Sequence, residues 1–349
     1  MTLPVGSKRV TLTQVAELAE VSVMTASYTY NRPGRVSAEA RSRVLAAAAQ
    51  LGYAGPDPSA RSLRRGSTRT LGVVLGEHLS YAFEDPGAAS FLAGVAEVCA
   101  DHGYGMTILP ITGATDDVVR IADAAVDGFV VWTTTDDDPV LAAVQARRRP
   151  GVVHGGPAVE GLEVISIDNR AAARAVGALA FAGARRPAVV SQPVSRARAS
   201  SISRADAVPD VLFPVTRDRL LGYRDAAEDV GLDWSDVVVA VCARNGSAEA
   251  ERAAGTLLAR AEPPDAIAAM SDGQATGVLR AAATAGRRVP EDLAVTGWDD
   301  APEAAQLGLT TVAQSLREQG AACARAALGE ASGGHTAAWN VVVRGSTRG

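Results

Sequence analysis

Val10-Thr-Leu-Thr-Gln-Val-Ala-Glu-Leu-Ala-Glu-Val-Ser22 runs directly into Val23-Met-Thr-Ala-Ser-Tyr-Thr-Tyr-Asn31, and these two pieces decide how the chain is read. Leu12, Val15, Ala16 and Ala19 recur at helical spacing. Thr11 and Gln14 fit a capping box that starts the first helix, and Ser22 is a natural cap for the second. Two short helices joined by a tight turn follow the helix-turn-helix plan, whose second helix enters the DNA major groove. On that plan Val23, Met24 and Tyr28 face the bases, while Ser22, Thr25, Ser27 and Asn31 face the sugar-phosphate backbone. Apolar side chains can meet a thymine methyl, and a tyrosine hydroxyl can bond a base edge or a phosphate. The competing structural reading puts Val23 and Met24 in a core.

A third helix follows Pro33-Gly34. Ser37 caps it, Ala40, Val44, Leu45, Ala48 and Leu51 form its apolar stripe, and Gly52 stops it. A three-helix bundle can also be a scaffold or a protein-binding module, but the charge argues for DNA. Residues 1–69 hold ten Lys and Arg against four Asp and Glu, a net of +6, whereas the whole chain of 349 residues is at −5. A basic head on an acidic body is suited to phosphate binding by the head alone. Thr11, Arg35 and Ser37 complete the set expected at the duplex.

With 47% hydrophobic and 21% charged residues, the chain can build real cores beyond the head. Cys99, Cys242 and Cys323 are far apart and odd in number, so they read as buried small hydrophobes in a reducing compartment. No leader-like apolar core opens the chain, and no run approaches the roughly 20 apolar residues of a membrane helix. A soluble cytoplasmic protein without a membrane partner is expected.

From Thr70 onward, short apolar strands alternate with helices. The pattern gives strands over 71–75, 106–110, 128–132, 151–154 and 164–167, with helices over 91–102, 116–125 and 139–148. It restarts with a helix over 169–182 and continues with strands over 187–191, 237–241, 266–270 and 293–298, separated by helices over 217–230, 247–261 and 274–285. Strands separated by helices imply parallel sheets covered on both faces. Two such lobes would enclose a cleft at the carboxyl ends of their strands. Between Ser191 and Asp218 the chain is polar, basic and without period, and reads as a loop.

The run Val10-Thr-Leu, Val15-Ala-Glu-Leu-Ala, Val21-Ser-Val-Met-Thr-Ala-Ser27, Asn31, Arg35-Val-Ser37 and Leu51-Gly-Tyr53 resembles the headpiece of the lactose-repressor (LacI/GalR) family. So does Pro58-Ser-Ala-Arg-Ser-Leu-Arg-Arg-Gly66. The later stretches Gly286-Arg-Arg-Val-Pro-Glu-Asp-Leu-Ala-Val-Thr-Gly-Trp-Asp-Asp300 and Leu309-Thr-Thr-Val-Ala-Gln314 extend the resemblance through most of the chain. It implies an all-α helix-turn-helix headpiece plus an α/β two-lobed periplasmic-binding-protein-like effector domain. The resemblance also implies lobe crossings near Asp168, Gln314 and Leu328. The domains are then a headpiece at 1–57, a hinge helix and linker at 58–69, a first subdomain from 70–167 with 315–328, and a second from 168–314 with 329–349.

The same resemblance makes residues 58–65 a hinge that folds on DNA, with Leu63 as a minor-groove wedge and Arg64 near the phosphates, bending the duplex at a flexible step. Tyr28 stands where many members have arginine, so no operator consensus transfers. Glu20 stands where glycine is common in the turn, and the loop after Ser191 is longer than the family usually has.

The polar candidates for the cleft are Arg219, Asp272 and Asp299, then Arg217 and Asn245. Carboxylates and a guanidinium fork suit sugar hydroxyls or a purine edge. Arg219-Leu-Leu-Gly222 and Gly297-Trp-Asp-Asp300 match the family's Arg-x-x-Gly and Gly-x-Asp-Asp. The alternatives are surface ion pairs and, for Asp272, a helix cap. Tyr81, Phe83 and Trp132 are candidates to stack on a ring, or to pack in the core.

Enzymatic readings find little footing. The four histidines lack HExxH-like spacing and no GxxxxGK[ST] loop occurs. Asp136-Asp-Asp138 before Pro139 reads as a solvated helix start rather than a metal site, and no cofactor is implied. The expected partners are a double-stranded DNA operator, a second copy of the chain in a homodimer, and a small-molecule effector. By the resemblance the effector is a sugar, with a purine or nucleoside as the alternative. A periplasmic-type solute carrier shares the cleft, but would need a secretion signal and no basic head.

Overall fold

Among the described residues, three α-helices fold the first part of the chain: α1 (Leu12–Leu18), α2 (Val23–Asn31) and α3 (Ala38–Leu51). The computed structural model describes residues 10–55, 66–76, 79–114, 116–330 and 335–348. The chain divides into two units, residues 1–68 and 69–349.

Each of the three helices begins at a side-chain cap. The Gln14 amide N–H bonds Thr11 Oγ1 while Gln14 Oε1 accepts from the Thr11 N–H at 2.9 Å, closing the capping box. Ser22 Oγ accepts from Thr25 N–H at 3.0 Å, and Ser37 Oγ from Ala40 N–H at 3.2 Å. Gly52, at φ +69°, ends α3 in the left-handed conformation that glycine adopts without strain. Val15, Ala16, Ala19, Ala26, Val44, Ala47 and Ala48 form the small core. Leu45 is not on the stripe of α3, as the sequence suggested, but 44% exposed, and Ala47 takes the inward position. The buried face runs through 44, 47, 48 and 51 at helical spacing, and Leu45 lies off it. Glu20 takes φ +52° in the turn between α1 and α2, so this turn forms without glycine.

The second unit holds one parallel sheet and one mostly parallel sheet. The first lobe runs β1 (Thr70–Leu75), α4 (Tyr81–Glu84), α5 (Pro86–Asp101), β2 (Gly105–Pro110), α6 (Asp117–Asp123), β3 (Gly128–Trp132), α7 (Pro139–Ala146), β4 (Gly151–His154) and β5 (Glu163–Ser166). The second lobe follows with α8 (Asn169–Phe181), β6 (Pro187–Ser191), β7 (Ser201–Arg204), α9 (Pro214–Asp229), β8 (Val238–Val241), α10 (Ser247–Leu258), β9 (Ala266–Ala269), α11 (Asp272–Thr284), β10 (Ala294–Asp299), α12 (Pro302–Gln306) and β11 (Thr310–Gln314). The chain then returns as α13 (Leu316–Ala327), β12 (His335–Thr336) and β13 (Trp339–Val342).

Strand order is β12-β5-β4-β3-β1-β2 in one sheet and β13-β11-β10-β9-β6-β8-β7 in the other. Among the described residues all strand pairings are parallel except β7 with β8 and β11 with β13 at the two edges of the second sheet. Central strands such as β3, β4, β6 and β9 are buried almost throughout, as helices on both faces require. The three cysteines are free and buried, and burial pushes the Cys242 thiol up to about 12.

The return of α13 to the first lobe is fixed by two glycines. A Cβ on Gly94 of α5 would stand 1.9 Å from the Arg317 carbonyl oxygen, and one on Gly320 would stand 2.1 Å from the Phe91 carbonyl oxygen. Only residues without a side chain let these two helix backbones approach so closely.

Several boundaries differ from the sequence reading. The last segment does not stay in the second lobe after Leu328: His335–Thr336 pairs in parallel with Ile165 and Ser166 of the first sheet, so the final crossing falls between Thr336 and Trp339. A two-residue strand carries no detectable period. Within the stretch read as a loop, Ser201–Arg204 forms an edge strand, and α9 begins at Pro214, three residues before Arg217. Helix α5 begins at Pro86, with Asp85 as its cap. Ser271, not Asp272, caps α11. Arg69 belongs with the second unit, where its N–H donates to Asp127 Oδ2 at 2.9 Å. The hinge and wedge, Leu63 and Arg64 included, lie outside the described residues. No helix among the described residues is long and apolar enough to cross a membrane.

Candidate functional site

The parallel strands of both lobes end at a cleft with a cavity of about 100 Å³. Trp132 closes β3, His154 closes β4 and Ser166 closes β5 on one side; on the other, Gln192 follows β6, Asn245 follows β8, Asp299 closes β10 and Gln314 closes β11. All of them lie where side chains of α/β sheets converge on ligands, outside the carboxyl ends of the strands.

Arg219 of α9 is buried in the wall of this cleft. Its Nε donates to Asn169 Oδ1 at 3.0 Å and its Nη1 to the Met270 carbonyl at 2.6 Å, and its guanidinium lies over the Trp298 ring. Asp299, at φ +103°, accepts from Gln314 Nε2 at 2.7 Å. Burial raises its carboxyl above the usual range, and Arg219 pulls it back. On the first-lobe side, Trp132 stacks on His154 at 5.0 Å and 17°, and Phe91 meets Trp132 edge-on at 4.3 Å. Burial holds His154 down to about 4, so its ring is neutral at neutral pH. Across the cleft Asp85 Oδ2 accepts from Asn245 Nδ2 at 3.0 Å, and Asn245 Oδ1 accepts from Ser271 Oγ at 2.6 Å.

Four of the residues read from sequence therefore share this wall: Trp132, Arg219, Asn245 and Asp299. Others are placed elsewhere. Asp272 is buried behind the wall, where it accepts from Thr311 Oγ1 at 2.7 Å and from the Ala301 N–H at 2.7 Å, tying α11 to β11 and to the start of α12. Burial, reinforced by Asp299, pushes it up to about 7 against the pull of those hydrogen bonds. Arg217 projects away from the cleft and pairs with Asp136 of the first lobe. Phe83 is 73% exposed and does not line the cavity. The side chain of Tyr81 lies outside the described residues.

The lobes also touch at the rim. Besides the Arg217–Asp136 pair, Arg196 Nη2 lies 3.0 Å from Asp137 Oδ2, the Asp136 N–H donates to the Leu212 carbonyl at 3.1 Å, and Arg198 Nη2 to the Gly76 carbonyl at 3.1 Å. Asp138 caps α7 through its bond from the Val140 N–H. The three successive aspartates thus open a helix and meet arginines. Among the described residues no His, Cys, Asp and Glu side chains gather as a metal site.

In the first unit, Val23 and Met24 are 47% and 64% exposed at the start of α2, which removes them from the core. Thr25, Ser27 and Tyr28 are half-buried beside them, and exposed Asn31 donates to the Ser27 carbonyl at 3.0 Å. Thr11, Ser22 and Ser37 spend their hydroxyls on capping, yet each marks an exposed helix N-terminus, whose free amide groups suit phosphate. Arg35 is exposed in the short turn before Ser37.

Residues 11–55 match the family described as bacterial regulatory proteins, lacI family, and residues 176–347 match a periplasmic binding protein-like domain. The HTH-type transcriptional regulator Rv3575c of Mycobacterium tuberculosis is 36% identical over 322 residues, which make up 91% of this chain and 90% of that protein. The chain belongs to the lacI family of bacterial regulatory proteins. Among solved structures, a LacI-family transcriptional regulator from Corynebacterium glutamicum matches with a TM-score of 0.73 at 30% identity, covering 98% of this chain and 100% of that one. The transcriptional regulator CelR in complex with cellobiose matches with a TM-score of 0.66 at 27% identity, covering 97% and 100%.

As a lacI-family transcriptional regulator, the protein carries its helix-turn-helix in the first unit and an effector-binding type of domain in the second. Sequence reasoning missed much of that domain's wall: Asp85, His154, Asn169, Gln192, Gln314 and Gln319. The signal that finds Asp85, His154 and Gln314 is position, since each ends a strand or starts a helix at the cleft. Gln319 lies within α13 and only the lobe crossing brings it there.

Proposed function

We propose that this lacI-family regulator binds a near-palindromic operator as a homodimer, acts as a repressor, and takes a sugar in the cleft between its lobes. The observation that carries the effector reading is that Arg219 and Asp299 line one buried wall: a guanidinium fixed by Asn169 and a carboxyl acceptor held by Gln314. Such a set offers donors and acceptors to neighbouring hydroxyls without demanding a net charge on the ligand. The cellobiose bound by the CelR relative is of the same chemical class. A nucleoside is the second reading, favoured by the Trp132 ring in the first-lobe wall, against which a base could stack.

Two heads related by a two-fold axis would read two half-sites, with Val23, Met24 and Tyr28 toward the bases. An effector that prefers one lobe angle shifts operator affinity by a coupling free energy of roughly 1–3 kcal/mol. A thermal-shift screen of sugars and nucleosides, repeated with Asp299→Ala, tests the cleft. Stabilisation by a sugar that disappears in the variant is expected, and stabilisation that survives places the effector elsewhere. For the head, Met24→Ala should leave the melting temperature unchanged and weaken salt-sensitive binding to operator DNA; unchanged affinity removes Met24 from the DNA surface.

A further inference from the structure

A line of side chains crosses from one lobe to the other along the wall of the cleft. Gln314 Nε2 donates to Asp299 Oδ1 at 2.7 Å, Gln319 Nε2 donates to Gln314 Oε1 at 3.1 Å, and His154 Nε2 lies 3.0 Å from Gln319 Oε1. The Asp299 end sets the direction of every link. Asp299 Oδ1 is the acceptor there, so Gln314 turns its amide N–H toward Asp299 and its carbonyl toward Gln319. Gln319 then meets His154 with a carbonyl oxygen, and the proton of the neutral imidazole must sit on Nε2. His154 Nδ1 is left as a lone-pair acceptor. It is buried and has no hydrogen-bond partner among the described residues, while His154 itself lines the cleft. An acceptor buried in this way is unfavourable until a donor reaches it.

We propose that His154 is a specificity-determining residue of the first lobe, accepting a hydroxyl or N–H of the effector at Nδ1, with Gln319 and Gln314 as positioning residues that transmit the polarity of Asp299 across the lobes. The inference rests on the reading that the cleft holds the effector. It selects ligands with a donor toward the Trp132 side of the cleft and rejects those with an ether, methyl or halogen there. It also links the two lobes, because the ligand contact on one is oriented by a carboxylate on the other.

The test uses the full chain labelled with ring-¹⁵N histidine at pH 8, with the His154 signals assigned by their loss in His154→Gln. The expected spectrum shows the Nε2–H tautomer. Gln319→Leu should leave the chain folded by circular dichroism and release the ring into exchange between both tautomers. A wild-type ring protonated on Nδ1 overturns the proposal, as does a Gln319→Leu ring that keeps the wild-type tautomer. Cellobiose, glucose and adenosine are then titrated in. A probe that binds should move the Nδ1 resonance, and its affinity should fall about tenfold in His154→Phe. A probe that binds without moving Nδ1 overturns the acceptor role. If none of the three binds, the sugar and nucleoside readings fail, and the tautomer result still decides the relay.

Discussion

The guanidinium carbon of Arg219 stands 3.8 Å from the centre of the Trp298 ring, and Trp298 is fully buried. A planar cation held against an indole face directs its in-plane donors sideways into directional bonds, among them those to Asn169 and Met270. The arrangement fixes the guanidinium before any ligand arrives, which lowers the cost of ordering it on binding.

Arg219→Met should therefore affect folding as well as ligand response. It leaves Asn169 Oδ1 and the Met270 carbonyl without this donor, and it removes the cation that opposes the burial effect on Asp299. Urea denaturation is expected to show a loss of about 2–4 kcal/mol, and the Asp299 carboxyl should climb further. A loss below about 0.5 kcal/mol, the range of surface substitutions, would mean that the guanidinium is not part of the packed wall.

His154 makes a separate prediction in pH. Its folded value lies near 4 against 6.5 for a free imidazole, so folding excludes the charged ring. Stability from this group is intact above pH 6.5, falls as the pH drops below it, and stops falling near pH 4. At about 1.4 kcal/mol per pH unit the full effect is about 3 kcal/mol. Thermal unfolding followed from pH 7 to pH 4 should be steeper in the wild type than in His154→Gln, and parallel curves would show that the ring is charged in the fold.

Local rules carried the sequence reading a long way. The caps at Thr11, Ser22 and Ser37, the stop at Gly52, and the strands at 128–132, 151–154 and 187–191 are matched to the residue, because each depends on neighbours a few positions apart. What failed depends on distant partners. Arg217 and Arg219 lie two positions apart on one helix, about 200° around its axis, and only the packing of α9 decides that one meets solvent and Asp136 while the other is buried. Asp272 and Asp299 both adjoin strand ends, yet one is enclosed by Thr311 and Ala301 and the other lines the cleft. His154 and Gln319 are 165 residues apart, and no periodicity connects them.

The rim pairs separate stability from shape. Arg217–Asp136 and Arg196–Asp137 have side chains 40–53% exposed, and exposed pairs contribute only about 0–1 kcal/mol. Asp136→Asn combined with Asp137→Asn should thus leave the melting temperature almost unchanged. These pairs join the lobes beside the cleft, so small-angle scattering of the ligand-free variant should show a larger radius of gyration, and high salt should reproduce the change in the wild type. Identical scattering curves would locate the closing force elsewhere, at Asn245–Asp85 or in the relay.

Gly320 tests how the crossing helix is seated. A Cβ there would stand 2.1 Å from the Phe91 carbonyl oxygen, a backbone atom of α5 that cannot swing away. Gly320→Ala must then push α13 off α5, at a cost of about 1–3 kcal/mol, and move Gln319 from its place beside His154. Gly255, in the middle of α10 with nothing within 4 Å of its would-be Cβ, is the matched control: alanine there should add about 0.5–1 kcal/mol through helix propensity. Denaturant unfolding of the two variants should give shifts of opposite sign. If Gly320→Ala is as stable as the wild type, the close approach of α13 to α5 is wrong, and the connection between Asp299 and His154 that depends on it is wrong as well.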